Sequence, residues 1–325
     1  MQPEVPVTTQ VAREERPASA IRSPTALARC FSSAMPRLGI YFFLLAPLST
    51  TAVKCGVSRR QAFPQILGAA SCVCCRPEAA LALAALAEPD ASLYSQYATP
   101  RDACKDKGFA RGMSTGMGSY ENAIKPTKEK LFDRMLSALP AKDAVVVELG
   151  VGAFPNAPFY AQPALGSGPQ GMDIVGVDPN VAMAEYANNA AENAGLLARG
   201  HSLRVVNGVG EALPLPDNSA DAVVCTLTLC SVPSPEAVIA DVRRVLKPNG
   251  QFLFCEHVLS QTDFVLAAQQ RALTPLQVEA ADGCHLDRET LKTVKSAGFA
   301  KVDAEEFELN GFWILSPTVA GIARA

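Results

Sequence analysis

An acidic residue and two glycines stand at the end of an apolar run and could bind a small ligand. Residues 144–149 read AVVVEL, and the chain continues with Gly150-Val151-Gly152. Closely spaced glycines let the backbone turn tightly and approach a ligand without Cβ collisions. A dinucleotide-binding loop would carry a third glycine at position 155, where this chain has Pro155. The loop therefore favours another ligand, and a nicotinamide oxidoreductase is the rival hypothesis.

The charge near this loop favours a ligand with a cationic group. Glu148 would repel a phosphate but attract an ammonium group. Asp178 ends the next strand-like run, where a carboxylate can accept hydrogen bonds from both hydroxyls of a ribose. Gly210 and Glu211 follow the third such run, in a turn that can meet the edge of an adenine. A ligand with an adenosine, no phosphate and an amino-acid tail fits these positions, and S-adenosylmethionine is such a ligand.

Strand-like and helix-like runs alternate from about residue 120 to the end of the chain. The predicted strands are residues 144–149, 173–177, 203–206, 221–227, 251–258, 302–309 and 312–320. The predicted helices are residues 128–139, 180–197, 235–246 and 288–297, and Lys247-Pro248-Asn249-Gly250 predicts a helix stop and a turn. This alternation predicts an α/β fold with helices on both faces of a mainly parallel sheet. Ligands of such sheets bind beyond the carboxyl ends of the strands.

The composition changes near residue 90 and divides the chain into two parts. Basic residues outnumber acidic ones in residues 1–90, whereas residues 91–325 are mildly acidic and regularly patterned. The first part contains two apolar segments, 38–53 and 58–87, and Arg59 and Arg60 lie near the start of the second. This pattern resembles a leader with a twin-arginine export signal and predicts targeting to a plastid, including its thylakoid lumen. A membrane anchor at the endoplasmic reticulum is the alternative.

Residues 91–325 are expected to form one domain. Its cofactor-binding core is predicted at about 140–260, and its acceptor-binding and lid elements at 91–139 and 260–325. The net charge of −3 argues against nucleic acid as the main partner. Cys72-Val73-Cys74-Cys75 lacks the paired spacing of a zinc site, so no metal is predicted. Cys225 and Cys230 are interpreted as small apolar residues packed beside buried strands, with contact with the acceptor as the alternative.

Five stretches of the sequence together resemble one enzyme family. They are ELGVGAFPN, VGVDPN, GEALPLPDNSADAVVCTLTLCSV, VLKPNGQFLFCEHV and DGCHLDRET. They resemble class I methyltransferases of the type 11 group, and most closely the methyltransferase-like branch that includes animal alkyl-thiol S-methyltransferases and plant relatives. The resemblance covers roughly residues 120–325. It implies a Rossmann-like fold with a seven-stranded sheet and S-adenosylmethionine as cofactor.

The resemblance also implies roles for individual residues. The methionine end of the cofactor is expected to lie at Glu148, Gly150 and Gly152. Asp178 is expected to bind the ribose, and Gly210 and Glu211 are expected to lie near the adenine. The sulfonium is expected beside the run from Thr226 and Leu227 to Leu229. This sequence departs from the family pattern at two places where the cofactor would bind, and these departures bear on cofactor affinity rather than on the fold. Ala153-Phe154 replaces the usual threonine-glycine, and Val209 stands where many members carry an acid near the adenine amine.

The expected chemistry is an in-line transfer of an already activated methyl group. The protein then has to align the reactants and exclude water. A thiol acceptor needs only deprotonation. His257, at the end of the fifth predicted strand, is the candidate base, and Glu256 would orient it. The alternative is a structural histidine bonded to a neighbouring loop.

Other polar residues are expected to serve structure or the acceptor pocket. Residues 112–123 are predicted to close over the site with Tyr120 as a lid residue, or else to form a connecting turn. The run Asp282-Gly283-Cys284-His285 is expected to form part of the acceptor pocket, with His285 as a polar cap. Asp287 is expected to cap the following helix, while His201 is expected to be solvated in a turn.

The resulting hypothesis is a methyltransferase with a small nucleophilic acceptor, such as a thiol or another soft and even lipophilic nucleophile. The first alternative is C- or O-methylation of a quinone- or sterol-like lipid. The second is a non-catalytic binding protein with the same fold. Membrane association would come through the leader.

Overall fold

The computed structural model describes residues 85–161 and 168–325 of the chain. Both apolar segments of the predicted leader lie outside the described residues, apart from the last three residues of the second. Residues 85–90 precede the first helix, and the Ala87 N–H donates to the carbonyl oxygen of Pro214 at 3.0 Å. Among the described residues, no helix combines the length and the apolar character needed to cross a bilayer.

The described residues form eight α-helices and seven β-strands, which alternate over the central part of the chain after three opening helices. The helices are α1 (Ala91–Tyr97), α2 (Ala103–Gly116), α3 (Gly118–Ser137), the single turn α4 (Ala157–Tyr160), α5 (Met183–Asn193), α6 (Pro235–Val245), α7 (Phe264–Ala280) and α8 (Thr290–Ser296). The strands are β1 (Val145–Leu149), β2 (Asp173–Asp178), β3 (Ser202–Asn207), β4 (Ala220–Thr226), β5 (Leu246–His257), β6 (Lys301–Glu308) and β7 (Pro317–Arg324).

All seven strands join one sheet in the order β3-β2-β1-β4-β5-β7-β6. The pairs from β3 to β5 are parallel, and β7 runs antiparallel to both of its neighbours. The prediction of a mainly parallel seven-stranded α/β sheet is therefore confirmed, with one reversed strand. The strand order changes direction between β1 and β4, and such a switch opens a crevice beyond the carboxyl ends of the two strands.

Each strand sends alternate side chains into two separate apolar layers, because successive side chains of a strand point to opposite faces. Val145, Val147 and Leu149 of β1 belong to the layer that includes α6. Val146 belongs to the opposite layer, which includes α3 and α4. Glu148 follows Val146 in this alternation, so its carboxylate is buried on the side of α3 and α4.

The segment 112–123 is helical rather than a loop or connecting turn over the site. It spans the end of α2 and the start of α3 on either side of Met117. Its glycines lower helix propensity, but tertiary packing overrides propensity. Tyr120 is buried and its ring meets Phe312 edge to face, with centroids 5.3 Å apart. The predicted lid residue is thus part of the core. Sequence reasoning also missed α1, α2 and α7.

The chain around residues 246–250 corrects a second expectation. Helix α6 ends at Val245, close to the predicted stop, but the run from Lys247 to Gly250 belongs to β5. The strand accommodates this run through a register shift against β4 between Ala220 and Ala222 and a positive φ of 65° at Asn249. Near the end of the chain, a 3₁₀ turn at Trp313–Leu315 replaces the start of the predicted last strand.

Gly321 of β7 provides a test of how closely this sheet is packed. A Cβ at this position would overlap Ala304 and the backbone of Asp303 on β6. We expect Gly321→Ala to lower the free energy of unfolding by about 1–3 kcal/mol, because the strands must separate to admit a methyl group. Gly112→Ala in α2 is the control, since nothing lies within 4 Å of its added Cβ. Chemical denaturation should show a lower free energy of unfolding for Gly321→Ala and no loss for Gly112→Ala. Equal free energies of unfolding for the two variants would contradict the close packing of β6 on β7.

Candidate active site

The loop after β1 and the end of β2 are joined by backbone and carboxylate hydrogen bonds. The Gly150 N–H donates to the carbonyl oxygen of Val177 at 2.8 Å. The Gly152 N–H donates to Asp178 Oδ2 at 2.9 Å, and the Asn180 N–H donates to Asp178 Oδ1 at 2.8 Å. Burial raises the pKa of Asp178, against the lowering effect of these two N–H groups. Each carboxylate oxygen keeps further acceptor capacity for a ligand hydroxyl.

The loop after β1 also packs directly on the loop after β4. Gly150 has a φ of +66°, and a Cβ there would overlap the side chain of Thr228. The Thr228 hydroxyl donates to the carbonyl oxygen of Leu149 at 3.2 Å. Only glycine satisfies both the backbone angle and the contact at this position. The structure thus brings the two strand ends of the switch point together.

Glu148 lies in a buried polar network with a shortage of positive charge. The carboxylate, 2% exposed, accepts hydrogen bonds from Tyr160 Oη at 2.6 Å and from Asn156 Nδ2 at 3.2 Å. Lys128 donates to Asn156 Oδ1 at 3.0 Å but forms its ion pair with Glu121, at 2.8 Å. Burial raises the pKa of Glu148 to about 7, against the lowering effect of the bonds from Tyr160 and Asn156. Lys128 is therefore the cation near two carboxylates, those of Glu121 and Glu148. A cationic ligand group would balance the negative charge of Glu148.

The run that follows β4 is held in a strained shape. Leu227 has a φ of +54°, which is unfavourable for a residue with a branched side chain. Its N–H donates to the carbonyl oxygen of Cys255 at 3.0 Å, and Thr226 Oγ1 accepts from Asn156 Nδ2 at 3.1 Å. Backbone strain of this kind concentrates at functional sites.

Glu256 fastens this run to the sheet and does not orient His257. Its Oε1 accepts from the N–H groups of Thr228 at 2.9 Å and Leu229 at 3.2 Å, and Oε2 accepts from that of Cys230 at 3.4 Å. Neighbouring residues of a strand point to opposite faces, so Glu256 and His257 diverge. The expectation that Glu256 orients His257 is therefore wrong.

His257 instead belongs to a buried cluster with two cysteines. Its Nε2 lies 3.1 Å from the sulfur of Cys284, and the ligand atoms of Cys230, His257 and Cys284 all lie within 4.8 Å of one another. The three residues are 2%, 3% and 8% exposed. His257 Nδ1 has no hydrogen-bond partner among the residues that the structure describes. Sequence reasoning favoured packing for Cys230 over contact with the acceptor. It placed Cys284 in a run expected to form part of the acceptor pocket, but it did not connect that run with His257.

The sulfurs and the imidazole of this cluster perturb one another. The hydrogen bond from Cys230 lowers the pKa of Cys284, with a further contribution from the charge of His257, although burial acts the other way. The same contact with Cys284 raises the pKa of Cys230, together with burial. Burial alone would lower the pKa of His257, but the neighbouring Cys284 raises it. Cys284 is thus the member of the cluster most easily held as a thiolate.

Gly210 and Glu211 lie beside the start of α6. Glu211 is buried, and its Oε1 accepts from the N–H of Ser234, which caps that helix, at 3.1 Å. Burial raises the pKa of its carboxyl group. A Cβ at Gly210 would press on Val238 and Leu149. In this structure the Glu211 carboxylate therefore accepts a hydrogen bond from the start of α6 and is not directed towards solvent.

Two other sequence-based expectations are wrong, and a third residue is bonded locally. His201 is buried, and its Nδ1 accepts from the Met172 N–H at 3.1 Å, because the turn that carries it folds against the sheet. Asp287 does not cap α8, whose N-cap position is Glu289, without a capping bond. His285 Nδ1 lies 2.8 Å from the carbonyl oxygen of Gly283.

Replacing Glu256 by glutamine tests its role as the anchor of the run after β4. An amide in place of the carboxylate loses charge-assisted bonds and can turn an NH₂ group against the backbone N–H groups. We expect Glu256→Gln to lower the free energy of unfolding by about 1–3 kcal/mol in urea denaturation. Glu289→Gln, on an exposed side chain, is the matched control. Indistinguishable stabilities of the two variants would contradict the anchoring role.

Comparisons with known proteins agree with this arrangement. A family model described as a methyltransferase domain matches residues 147–254. A thiol S-methyltransferase of Rattus norvegicus is 38% identical over 190 residues, covering 58% of this chain and 72% of the relative. A thiol S-methyltransferase of Homo sapiens is 32% identical over 208 residues, covering 63% of this chain and 80% of the relative. A sterol 24-C-methyltransferase of Gibberella zeae is 32% identical over 140 residues, covering 42% of this chain and 36% of the relative.

These similarities extend over most of the thiol S-methyltransferases and include both strand ends of the switch point. They confirm the predicted enzyme class, fold and cofactor. The chain belongs to the S-adenosylmethionine-dependent methyltransferases, in the branch that contains the thiol S-methyltransferases.

Proposed function

We propose that this enzyme transfers the methyl group of S-adenosylmethionine to the sulfur of a small thiol. One observation carries the proposal. The short run from Thr226 to Cys230 packs on the glycine loop through Thr228 and enters the sulfur–imidazole cluster through Cys230. A cofactor side and a thiol-compatible side are therefore joined by four peptide bonds. The names of the relatives from Rattus norvegicus and Homo sapiens support the same acceptor class.

The residues beyond β1 and β2 fit the proposed cofactor. Gly150 lets the loop pack against Thr228, while a Cβ at Gly152 would meet only the carbonyl oxygen of Gly150, 3.9 Å away, so the loop leaves room there for a ligand. The shortage of positive charge at Glu148 suits an ammonium group. The carboxylate of Asp178 keeps acceptor capacity for ribose hydroxyls, while Gly210 and Glu211 are proposed to lie near the adenine. Gly152, Thr226 and Leu227 would complete the lining.

When bound, S-adenosylmethionine supplies an activated methyl group. The protein's own part is alignment, since a displacement needs the acceptor in line with the breaking bond. Glu256 fixes the run after β4, and the positive φ of Leu227 sets its direction. His257 and its two cysteine neighbours form the proposed acceptor side, where a thiol must become a thiolate before it can react.

A lipid acceptor is the second candidate. The first residues of α7 expose large apolar side chains: Phe264 is 86% exposed and Val265 is 69% exposed. Helix α7 leads into the loop that carries Cys284, so a lipophilic molecule could approach the site along it. The relative from Gibberella zeae is named for methylation of a sterol, but this chain covers only 36% of it.

A screen with radiolabelled methyl groups separates the two candidates. The full chain would be incubated with labelled cofactor and with alkyl thiols, phenols, a prenylated quinol and a sterol in parallel. We expect label in the thioether products. Transfer to the sterol or quinol alone would replace the thiol proposal by the lipid one, and cofactor binding without any product would favour a non-catalytic protein.

The proposed ribose contact gives a direct test. Asp178→Ala should weaken the affinity for S-adenosylmethionine by about 1–3 kcal/mol, because charge-assisted hydrogen bonds are lost. Asp217→Ala removes an exposed carboxylate just before the amino end of β4 and should leave the affinity unchanged. Isothermal titration calorimetry measures both. Unchanged affinity in Asp178→Ala would contradict the placement of the ribose.

The raised pKa of Glu148 predicts a pH-dependent affinity. Below about pH 7 the free enzyme holds this carboxyl protonated, and a cationic ligand must displace the proton. The affinity should therefore rise with pH across roughly pH 5.5–7.5, by up to about tenfold per unit, while the cofactor's amino group remains largely protonated. Glu148→Gln should flatten this dependence in calorimetric titrations. Parallel profiles for the variant and the natural enzyme would refute the contact.

His257 should affect transfer and not cofactor binding. His257→Ala is expected to slow methylation of a thiol by about 10²-fold or more, since activation of the acceptor is lost. Its affinity for S-adenosylmethionine should stay that of the natural enzyme. His201→Ala, at the other edge of the sheet, should lower thermal stability but keep the transfer rate. A fully active His257→Ala enzyme would remove this residue from the acceptor side.

A further inference from the structure

We propose that Cys230, His257 and Cys284 bind one divalent cation of the zinc type and leave its fourth position open to the acceptor thiol. The inference rests on the proposed thiol acceptor and deepens it, because it states how the acceptor is held and activated. The expectation from the sequence was that the chain binds no metal, since it considered only the cysteines near residue 72 as possible ligands.

The donor set is the first argument. Two cysteine sulfurs and one histidine nitrogen are ligands that zinc prefers, and three protein ligands with one open position are typical of catalytic zinc sites. Zinc–sulfur and zinc–nitrogen bond lengths place tetrahedral ligand atoms about 3.5 Å apart. The atoms observed here lie within 4.8 Å of one another, with one pair at 3.1 Å. Small side-chain rotations would bring all three to a common ion.

The positions of the ligands in the fold are the second argument. Cys230 follows β4, His257 ends β5, and Cys284 lies in the loop between α7 and α8. The loops are tied to each other, because the His285 N–H donates to the carbonyl oxygen of Cys230 at 2.8 Å. Ligands fixed by three separate elements and backbone bonds form a preorganised site. None of the three spacings between these residues in the sequence is that of a short zinc motif.

Neither the Cys230 sulfur nor the Cys284 sulfur forms a disulfide, and the polar contacts that each makes outside the cluster are weak. Cys230 and Cys284 are free thiols. The Cys230 sulfur lies 3.5 Å from Ser231 Oγ, and the Cys284 sulfur 3.7 Å from Gln277 Nε2. Two buried thiolates with only neutral donors and one imidazole would be costly, whereas a divalent cation balances both charges.

An open coordination position gives the cluster a defined chemical task. A thiol that coordinates the cation loses its proton to solvent and becomes a thiolate. Its sulfur then forms a bond to the methyl carbon as the bond between that carbon and the sulfonium sulfur breaks. The neutral thioether product is a weaker ligand and dissociates. The cation keeps its charge throughout, so no oxidant or reductant is needed.

A metal-free cluster would work differently and can be distinguished. In that case His257 would donate from Nε2 to the Cys284 sulfur and would receive the acceptor's proton at Nδ1, which lacks a partner among the described residues. Both forms need His257, so a loss of activity in His257→Ala does not separate them. Metal content and spectroscopy do.

Metal content of the purified full chain is the first experiment. After incubation with Zn²⁺ and removal of the excess by gel filtration, elemental analysis should find one zinc per chain. Cys230→Ser and Cys284→Ser should each lose it. Cys255→Ser is the matched control, because Cys255 is a buried free cysteine outside the cluster. Absence of zinc from the natural chain, or full retention of zinc in both cluster variants, would overturn the proposal.

The second experiment uses Co²⁺ as a spectroscopic substitute. The loaded chain should show thiolate-to-cobalt charge-transfer absorption in the near ultraviolet, and 2-mercaptoethanol should intensify it by adding a further thiolate ligand. Loss of the band in Cys284→Ser and its persistence in Cys255→Ser would support the site. A spectrum indifferent to 2-mercaptoethanol would contradict the open position.

The two proposals fail in different ways. Rapid methylation of a thiol by chain stripped of metal with a chelator would overturn the metal site and leave the thiol S-methyltransferase proposal standing. A stoichiometric metal that responds to 2-mercaptoethanol, in a chain that methylates only lipids, would uphold the site and overturn the acceptor class.

Discussion

A buried carboxylate with too little positive charge around it governs the proposed cofactor end of this enzyme. Glu148 is the penultimate residue of the apolar strand β1, and the strand's alternation turns it towards α3 and α4 rather than towards solvent. Neutral donors, Tyr160 and Asn156, satisfy its oxygens, while Lys128 pairs with Glu121. Such a carboxylate is costly to ionise in the free protein. The proposed contact with the cofactor's ammonium group would make ionisation of the Glu148 carboxyl favourable. Cofactor binding and ionisation of Glu148 would then be coupled.

The second constraint is the close contact of two loops at the switch in strand order. Gly150 packs on Thr228, and Glu256 holds Thr228 and its neighbours through their N–H groups. The same run ends at Cys230, in the cluster with His257 and Cys284. A movement at the glycine loop would therefore be transmitted over a few residues to the proposed acceptor side. The proposed cofactor and acceptor positions thus share one short connection, held by Glu256.

The sequence predicts the sheet and the positions of its strand ends well, and for physical reasons. Buried parallel strands are continuous apolar runs, so β1, β2 and β4 are evident, and ligands meet the ends of such strands in a fixed order. Asp178 and Gly150 could be found in this way. Helix α2 could not, because the packing of its buried residues Asp106 and Ala110 overrides the low helix propensity of its glycines.

The proposed acceptor end was harder to predict because its residues meet only in the folded chain. Cys284 comes from a loop that follows a helix with an interior proline, and nothing local distinguishes it from a packed cysteine. The error over Glu256 was avoidable, since adjacent residues of a strand face opposite ways. His201 was misjudged because its polar surroundings in the sequence fold against Met172.

The central claim, an ion pair between Glu148 and the amino group of the cofactor, is tested most directly by a double-mutant cycle. Natural enzyme and Glu148→Gln would each be titrated with S-adenosylmethionine and with an analogue that lacks the α-amino group. We predict a coupling free energy of about 1–3 kcal/mol between the carboxylate and the amino group. A coupling free energy of zero, with both ligands weakened equally or not at all by the substitution, would contradict the account.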